Sequence, residues 1–129
     1  MAAKDRDFLN RVGVTHVVPC IARPQLHFED ELHYHVMPVR DSLEQDMSPF
    51  RDEALQYIDD AVQAGGIVLI HCGMGASRAG YLSCACAMRR LGIGYDMALQ
   101  LVRAARFTVS PNASFQKQLR QYEAARAAG

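Results

Sequence analysis

The feature that most constrains the fold is a short, wholly apolar run at residues 67–70, IVLI, between Gly65-Gly66 and a glycine-containing segment at residues 71–78. A run of this length and composition, with glycines on both sides, is typical of a strand that is buried on both faces. Such strands occur in parallel sheets, whose crossover connections place helices on the two faces. The run therefore predicts a central parallel strand in an α/β protein.

Two further strands are predicted before this run. Residues 14–20, VTHVVPC, form a β-branched run of strand length, preceded at residues 5–12 by a short helical pattern that ends at Gly13. Within residues 32–39, Leu32, Tyr34 and Val36 alternate with His33, His35 and Met37, the period-2 pattern of a strand with one face less exposed to water.

Helical patterns occupy the remainder of the chain. Ser48-Pro49 has the form of a helix start, and the amphipathic pattern that follows ends at Gly65-Gly66. A buried helix is predicted to begin near Ser77, and two more helices are marked by apolar residues at helical spacing: Ala98, Leu101, Val102 and Ala105, then Phe115, Leu119 and Tyr122. The interleaved strands and helices predict an α/β fold in which a mostly parallel central sheet is flanked by helices on both faces. We expect a single domain over residues 1–129, because two domains would each have too small a core.

The charge balance and the cysteine spacing exclude several classes of function. Lys plus Arg and Asp plus Glu number 14 each, so no overall field favours nucleic acid or an anionic membrane. The four cysteines are unevenly spaced and form no CxxC pair, which argues against a disulfide framework and against a zinc site. The first residues, MAAKDRDF, lack the apolar stretch of a signal peptide, and no segment approaches the ~20 apolar residues of a membrane span, so we expect neither. We therefore expect a cytoplasmic or nuclear protein with no cofactor, metal, nucleic-acid partner or membrane partner.

The segment His71-Cys72-Gly73-Met74-Gly75-Ala76-Ser77-Arg78 follows the apolar run and precedes the predicted helix. Ligands bind at this carboxyl edge of the strands in open α/β sheets. Small residues let successive backbone N–H groups converge on one centre, and the helix adds its own N–H groups and positive dipole end. The segment therefore predicts a cradle for a phosphate dianion, formed by Gly73, Met74, Gly75, Ala76, Ser77 and Arg78.

Cys72 and Arg78 provide the chemistry of this cradle. The guanidinium of Arg78 can bind two phosphate oxygens at once, which a lysine could not reproduce. The same positive field is expected to lower the pKa of Cys72 and to make its thiolate a nucleophile. The alternative is a glycine-containing turn in which Cys72 is a buried thiol and Arg78 is a surface charge.

These residues resemble the dual-specificity branch of the protein tyrosine phosphatases, whose loop reads HCxxGxSR. The resemblance includes residues 14–18 (VTHVV), residues 35–41 (HVMPVRD), and the segment Val109-Ser110-Pro111-Asn112 with the Ser114-Phe115 and Gln118-Leu119 pairs. It covers roughly residues 8–123. It implies a tyrosine phosphatase-like fold with a shortened N-terminus, because members of the family begin with an additional strand and a Leu-Gly turn.

The resemblance assigns the general acid to Asp41. A phenolate or alkoxide leaves slowly unless an acid protonates its oxygen, and Asp41, once ionised, could activate water in the second step. Asp46 is the rival candidate, interpreted as a turn residue. A solvated loop aspartate is the alternative interpretation of Asp41 itself.

Two residues are predicted to support the site, and several Cys and His residues are predicted to have no role in catalysis. His71 is expected to orient the loop by hydrogen bonds. Asn112 resembles a family position that buttresses the active-site loops, although capping of the last helix explains it equally well. Cys20, Cys84 and Cys86 are predicted to be core thiols, and His16, His27, His33 and His35 show no metal-binding spacing.

One departure from the family pattern concerns turnover. Ala79 stands where most members have Ser or Thr after the arginine, and that hydroxyl helps the thiolate to leave. The resemblance implies a phosphatase that hydrolyses phosphotyrosine, and phosphoserine or phosphothreonine, in phosphorylated protein substrates through a phosphocysteine. Two alternatives remain: a catalytically impaired module that binds phosphorylated partners, and a sulfur-transfer protein of rhodanese type. The sequence makes no prediction of the oligomeric state.

Overall fold

A three-stranded parallel sheet lies at the centre of the fold in the computed structural model, which describes residues 5–73, 76–106 and 108–128. Strand β1 (His16–Pro19) lies between β2 (His33–Tyr34) and β3 (Val68–His71), and both pairs are parallel. The register places Pro19 of β1 opposite His71 of β3. The residues that follow these two strands therefore meet at one edge of the sheet.

Helices cover the sheet on both sides. They are α1 (Arg6–Val12), α2 (Ser48–Gln63), α3 (Ser77–Leu91), α4 (Tyr95–Ala105) and α5 (Ala113–Ala128). Adjacent residues of β1 point to opposite faces: Val17 packs with Leu9 of α1, whereas Val18 belongs to the larger core that includes residues of α2, α3 and α5. The predicted α/β class, with helices on both faces of a parallel sheet, is confirmed. None of the five helices in the described part of the chain combines the length and the apolar character that a membrane span requires.

Short-range signals set several element ends as the sequence predicts. The carboxylate of Asp5 accepts a hydrogen bond from the N–H of Phe8 at 3.0 Å, which caps α1. Gly13 ends α1 with φ of 82°, a conformation that a side chain would strain. Pro49 lies in the first turn of α2, where its missing N–H is not needed.

Strand β3 differs from its prediction. It lies at one side of the three-stranded sheet, and β1 occupies the central position. All four residues of β3 are half-buried rather than fully buried. The apolar run correctly indicated a parallel strand, but the number of partners that a strand has depends on the topology and cannot be read from its composition.

The second predicted strand is shorter than its alternating pattern. Only His33–Tyr34 forms regular strand, but the N–H groups of His35 and Met37 still donate to the carbonyls of Val17 and Pro19, at 3.0 and 2.9 Å. The chain therefore remains extended beside β1 until Met37. This path carries residues 40–47 to the same edge of the sheet as Cys72.

Candidate active site

The predicted phosphate cradle lies between the end of β3 at His71 and the start of α3 at Ser77. Cys72 is only 6% exposed, and it sits where the strand leads to the N-terminal end of the helix. A Cβ atom built on Gly73 would lie 3.4 Å from Nη2 of Arg78, so the loop runs close to the guanidinium. The described part of the cradle therefore brings together the thiol, the arginine and the helix N-terminus. Met74 and Gly75 lie outside the described residues.

Arg78 connects the cradle to a second loop. Its Nη1 donates a hydrogen bond to the carbonyl oxygen of Val39 at 3.2 Å, and its side chain is half-buried. Val39 lies two residues before Asp41. The arginine that is predicted to bind phosphate therefore also contacts the loop that is predicted to supply the acid.

Asp41 and Asp46 lie in different environments. Asp41 is exposed, and its Oδ1 accepts a hydrogen bond from Nδ2 of Asn112 at 3.0 Å. Oδ1 of Asp46 accepts hydrogen bonds from the N–H and the hydroxyl of Ser48, at 3.1 and 2.9 Å. Asp46 thus serves the turn at the start of α2, and Asp41 is the carboxylate that is linked to the rest of the site.

Hydrogen bonds of Asn112 join three parts of the site. Its backbone N–H donates to the hydroxyl of Ser77 at 2.9 Å, and its amide donates to Asp41 at 3.0 Å and to the carbonyl of Ser42 at 3.2 Å. Its Oδ1 accepts from the N–H of Phe115 at 2.9 Å, which caps α5. One side chain therefore both caps α5 and donates to the segment of Asp41 and Ser42.

A close approach of α3 to the segment before Asn112 makes these bonds possible. A Cβ atom on Gly80 would lie 2.8 Å from Cγ1 of Val109, which is closer than side chains can pack. The absence of a side chain at Gly80 lets α3 lie directly against the segment that leads to Asn112. Ser77 is one turn earlier on the same helix and so reaches the N–H of Asn112.

His71 lies at the end of β3 with its imidazole partly buried. Burial lowers the pKa of His71 below its ordinary value of 6.5; a hydrogen bond with the backbone of Cys72 opposes this, and nearby His27 lowers the pKa further. Its Nδ1 is buried and finds no hydrogen-bond partner within the described residues. These effects favour a neutral imidazole beside the cradle.

Cys20 is a second thiol close to the cradle. It follows β1 as Cys72 follows β3, it is fully buried, and its N–H donates to the carbonyl of His71 at 2.7 Å. Burial raises the pKa of Cys20 well above its usual range, and neighbouring Cys72 adds to the rise. Cys20 is therefore a neutral core thiol. Cys84 is buried in the core as well.

Ala79 lies directly behind the cradle. It is 8% exposed, and a cavity of about 100 Å³ borders it together with Cys72, His71 and Ser83. At position 79 this chain therefore places only a methyl group beside the cavity.

Reasoning from the sequence assigned no role to Gln118, which contacts the loop of Asp41. Its amide exchanges two hydrogen bonds with the backbone of Gln45 and Met47, each 2.8 Å long. The one signal in the sequence was the resemblance, which already included the Gln118-Leu119 pair. No group of three or more His, Cys, Asp or Glu side chains in residues 5–73, 76–106 and 108–128 is arranged to hold a metal ion.

Comparison with known proteins identifies this arrangement. The family model described as "Dual specificity phosphatase, catalytic domain" matches residues 1–125. Dual specificity protein phosphatase 1B of Arabidopsis thaliana is 38% identical over 121 residues, which are 94% of this chain and 72% of the plant protein. Human dual specificity protein phosphatase 1 is 36% identical over 121 residues, and the match spans 94% of this chain but only 33% of the human protein.

A solved structure gives the same result for the fold. The crystal structure of human DUSP28 superposes with a TM-score of 0.93 at 31% sequence identity, covering 98% of this chain and 89% of that chain. The predicted tyrosine phosphatase-like fold and the resemblance on which it rested are both confirmed. The chain therefore belongs to the dual specificity phosphatase family, the cysteine-based protein phosphatases that act on phosphotyrosine and on phosphoserine or phosphothreonine.

Proposed function

We propose that this chain removes phosphate from phosphorylated proteins through a phosphocysteine at Cys72, with Asp41 as general acid and Arg78 as phosphate ligand. The observation that carries the proposal is the pair of links between the two loops. Arg78 bonds to Val39, and Asn112 bonds to both Ser77 and Asp41. These links hold the carboxylate and the cradle in one unit, as concerted attack and protonation require.

In the first step the Cys72 thiolate attacks the phosphorus in line with the leaving oxygen. The S–P bond forms as the P–O bond breaks, and Asp41 gives its proton to the departing oxygen of the substrate side chain. Arg78 and the backbone N–H groups of the cradle stabilise the charge on the transferring phosphoryl oxygens. The products of this step are the dephosphorylated side chain and a phosphocysteine.

In the second step a water molecule attacks the phosphocysteine. Asp41, now a carboxylate, takes a proton from the water, and the S–P bond breaks to release phosphate and the Cys72 thiolate. The enzyme returns to its starting state with the acid protonated again. Asp41 is thus needed in both steps and in opposite protonation states.

The composition of the cradle supports a phosphoprotein substrate. Residues 73–77 include no Lys and no His, so the loop lacks the additional cations that a multiply charged inositol phosphate or an RNA 5′-phosphate would attract. We propose that phosphotyrosine, phosphoserine and phosphothreonine in proteins all enter the cleft. A thiolate nucleophile requires a reducing compartment, which supports a cytoplasmic or nuclear location.

Hydrolysis of p-nitrophenyl phosphate tests the proposal. Activity that persists in the presence of a chelator and is blocked by vanadate supports a thiolate mechanism with a phosphate-shaped transition state. Activity that the chelator removes, or complete absence of activity, contradicts it.

Ala79 favours a second candidate, the impaired module that binds phosphorylated partners. The methyl group cannot donate a hydrogen bond to the departing sulfur, so phosphocysteine could accumulate. Binding of a phosphotyrosine peptide without release of phosphate, measured by titration calorimetry and a phosphate assay on the same sample, would favour the module. Multiple turnovers of the peptide would favour the enzyme.

A further inference from the structure

Residues 40–47, which we call the acid loop, contain Asp41 but form no helix or strand. A segment without regular structure can adopt many conformations, and holding it in one of them costs conformational entropy. General acid catalysis nevertheless requires the carboxyl group to stay within hydrogen-bonding reach of the leaving oxygen. Contacts from outside the acid loop must therefore hold it in place.

Gln118 of α5 provides two such contacts at the far end of the acid loop. Its Oε1 accepts a hydrogen bond from the N–H of Met47, and its Nε2 donates to the carbonyl of Gln45, both at 2.8 Å. The same Nε2 donates to the hydroxyl of Ser114 at 3.1 Å. The amide is half-buried and makes three bonds, so its orientation is fixed from both sides.

Gln45 extends this contact back to the general acid. Its Oε1 accepts from the N–H of Arg40 at 3.0 Å, and its Nε2 donates to the carbonyl of Asp46 at 3.0 Å. Arg40 immediately precedes Asp41. The side chain of Gln45 therefore spans the acid loop, and Gln118 anchors the backbone of Gln45 itself.

We infer that Gln118 is a positioning residue for Asp41, acting through Gln45 on the conformation of the acid loop. The inference rests on the proposed function, because it concerns the general acid of that mechanism. Asn112 holds the carboxylate from one side. Gln118 holds the backbone of the acid loop on the other side. Both residues belong to the same end of α5, because Asn112 caps the helix and Gln118 lies in its second turn.

The test replaces Gln118 by methionine, which has similar length but neither a donor nor an acceptor of comparable strength. Gln116→Met is the matched control, because Gln116 lies on the same helix and its amide donates to the carbonyl of Pro111 at 3.1 Å, outside the acid loop. The kcat/KM is measured on phosphotyrosine, which has a poor leaving group, and on p-nitrophenyl phosphate, which has a good one. For each substrate, kcat/KM reports only the steps up to phosphocysteine formation, so slow hydrolysis of the phosphocysteine does not affect it.

We expect Gln118→Met to lower kcat/KM on phosphotyrosine by about tenfold, a part of the roughly 10²–10⁴-fold that general acid catalysis contributes. The loss on p-nitrophenyl phosphate should be much smaller, since nitrophenolate needs little protonation. Gln116→Met should change neither value. Equal losses on both substrates, or no loss on phosphotyrosine, would overturn the inference.

A double-mutant cycle separates positioning from general support of the fold. In an Asp41→Asn background, Gln118→Met should cause no further loss on phosphotyrosine, because the acid that it positions is already absent. Additive losses would show that Gln118 acts independently of Asp41. If Asp41→Asn alone retains wild-type kcat/KM, the general acid assignment fails, whereas a loss at Asp41 without one at Gln118 rejects only the inference.

A thermal unfolding scan first establishes that each variant is folded. If Gln118→Met does not fold, Gln118→Glu replaces it, since the carboxylate keeps the acceptor for the N–H of Met47 but cannot donate to Gln45. The same selective loss on phosphotyrosine is expected from Gln118→Glu. An unselective loss would overturn the inference.

Discussion

The cradle at residues 72–78 and the acid loop at residues 40–47 meet at one active site but are held in different ways. The cradle lies between the end of β3 and the start of α3, so its ends are fixed by its own neighbours in the sequence. The acid loop depends on hydrogen bonds from Asn112 and Gln118, which are 71 and 73 positions away from Asp41 and Gln45. A local motif thus carries the proposed nucleophile, and long-range packing positions the proposed acid.

The difference implies that substitutions in the two regions should lower activity in different ways. Changes in the cradle should affect every substrate, because attack by sulfur and phosphate binding are always required. Changes around the acid loop should depend on the leaving group and should spare phosphate binding. Substitutions in each region test this distinction.

The largest effect is expected from Cys72→Ser, which should abolish hydrolysis because a hydroxyl in this site is a far weaker nucleophile than a thiolate. Binding of phosphate or vanadate should persist, since the backbone N–H groups and Arg78 remain. Turnover assays and titration calorimetry measure the two properties. The control is Cys86→Ser, which alters a half-buried thiol on α3 outside the cradle and should keep normal turnover. Appreciable turnover by Cys72→Ser would refute the covalent mechanism.

Asp41→Asn should lower kcat/KM on phosphotyrosine by about 10²–10⁴-fold, the usual contribution of a general acid, and should have less effect on p-nitrophenyl phosphate. Asp46→Asn is the matched control, because that carboxylate bonds to Ser48 in the turn before α2. Steady-state kinetics on both substrates give the comparison. If Asp46→Asn shows the selective loss and Asp41→Asn does not, the acid has been assigned to the wrong aspartate.

Asn112→Ala should break the link between the two regions. Loss of the amide donors to Asp41 and Ser42 is expected to lower kcat/KM on phosphotyrosine by about tenfold, given that a net hydrogen bond contributes roughly 0.5–1.5 kcal/mol. Loss of the cap on α5 should also reduce the free energy of unfolding by about 1 kcal/mol. Urea denaturation and steady-state kinetics measure the two effects.

Asn112→Ser separates these roles, because serine caps a helix but is too short to reach Asp41. We expect it to recover much of the stability and little of the activity. Recovery of both would mean that Asn112 matters only as a cap and that the acid loop does not depend on it.

A comparable effect, confined to the cradle, is expected from Ala79→Ser. A hydroxyl that donates to the departing sulfur contributes roughly 1.5–3 kcal/mol, so phosphocysteine breakdown should become about tenfold faster or more. The cavity that borders Ala79 and Cys72 leaves room for the added oxygen. Rapid-quench kinetics should show a burst in the wild type, and in the variant a faster steady state with an unchanged burst rate. Absence of a burst in the wild type would show that breakdown is not limiting.

The smallest effect concerns the pH dependence of stability. The pKa of His71 is lower in the folded protein than its ordinary value of 6.5, mainly because of burial. Below pH 6.5 the His71 imidazole therefore binds a proton more readily in the unfolded chain than in the folded chain. The free energy of unfolding should fall as the pH drops below 6.5. This contribution should be fully present above that value, and His71→Gln should remove it.

Urea denaturation at about pH 7.5 and about pH 5.5, on either side of the imidazole titration, measures this difference. An equal pH dependence in the wild type and in His71→Gln would contradict a lowered pKa for His71 in the folded protein.

Several elements could be predicted because their signals are short-range. Gly13 ends α1, Pro49 opens α2 and Ser77 begins α3, each within about two residues of its predicted place. A glycine or a proline acts through its own backbone, so it marks an element end wherever the chain packs. No single residue marks the order of the strands in a sheet. The apolar composition of β3 therefore predicts a central strand, whereas in the structure β3 lies at the edge of the sheet and β1 is central.

The sequence by itself determined the cradle, because Cys72 and Arg78 lie on a continuous strand–loop–helix segment whose geometry follows from its own residues and from the two elements beside it. The tertiary structure decided how a distant carboxylate comes to lie beside it. Asp41 and Asp46 are equivalent as residue types, and the sequence favoured Asp41 only through its resemblance to a family. In the structure Asn112 donates to Asp41, whereas Asp46 accepts from Ser48. Hydrogen bonds between residues about 70 positions apart form only after helices and sheet have packed, so no local pattern in the sequence could specify them.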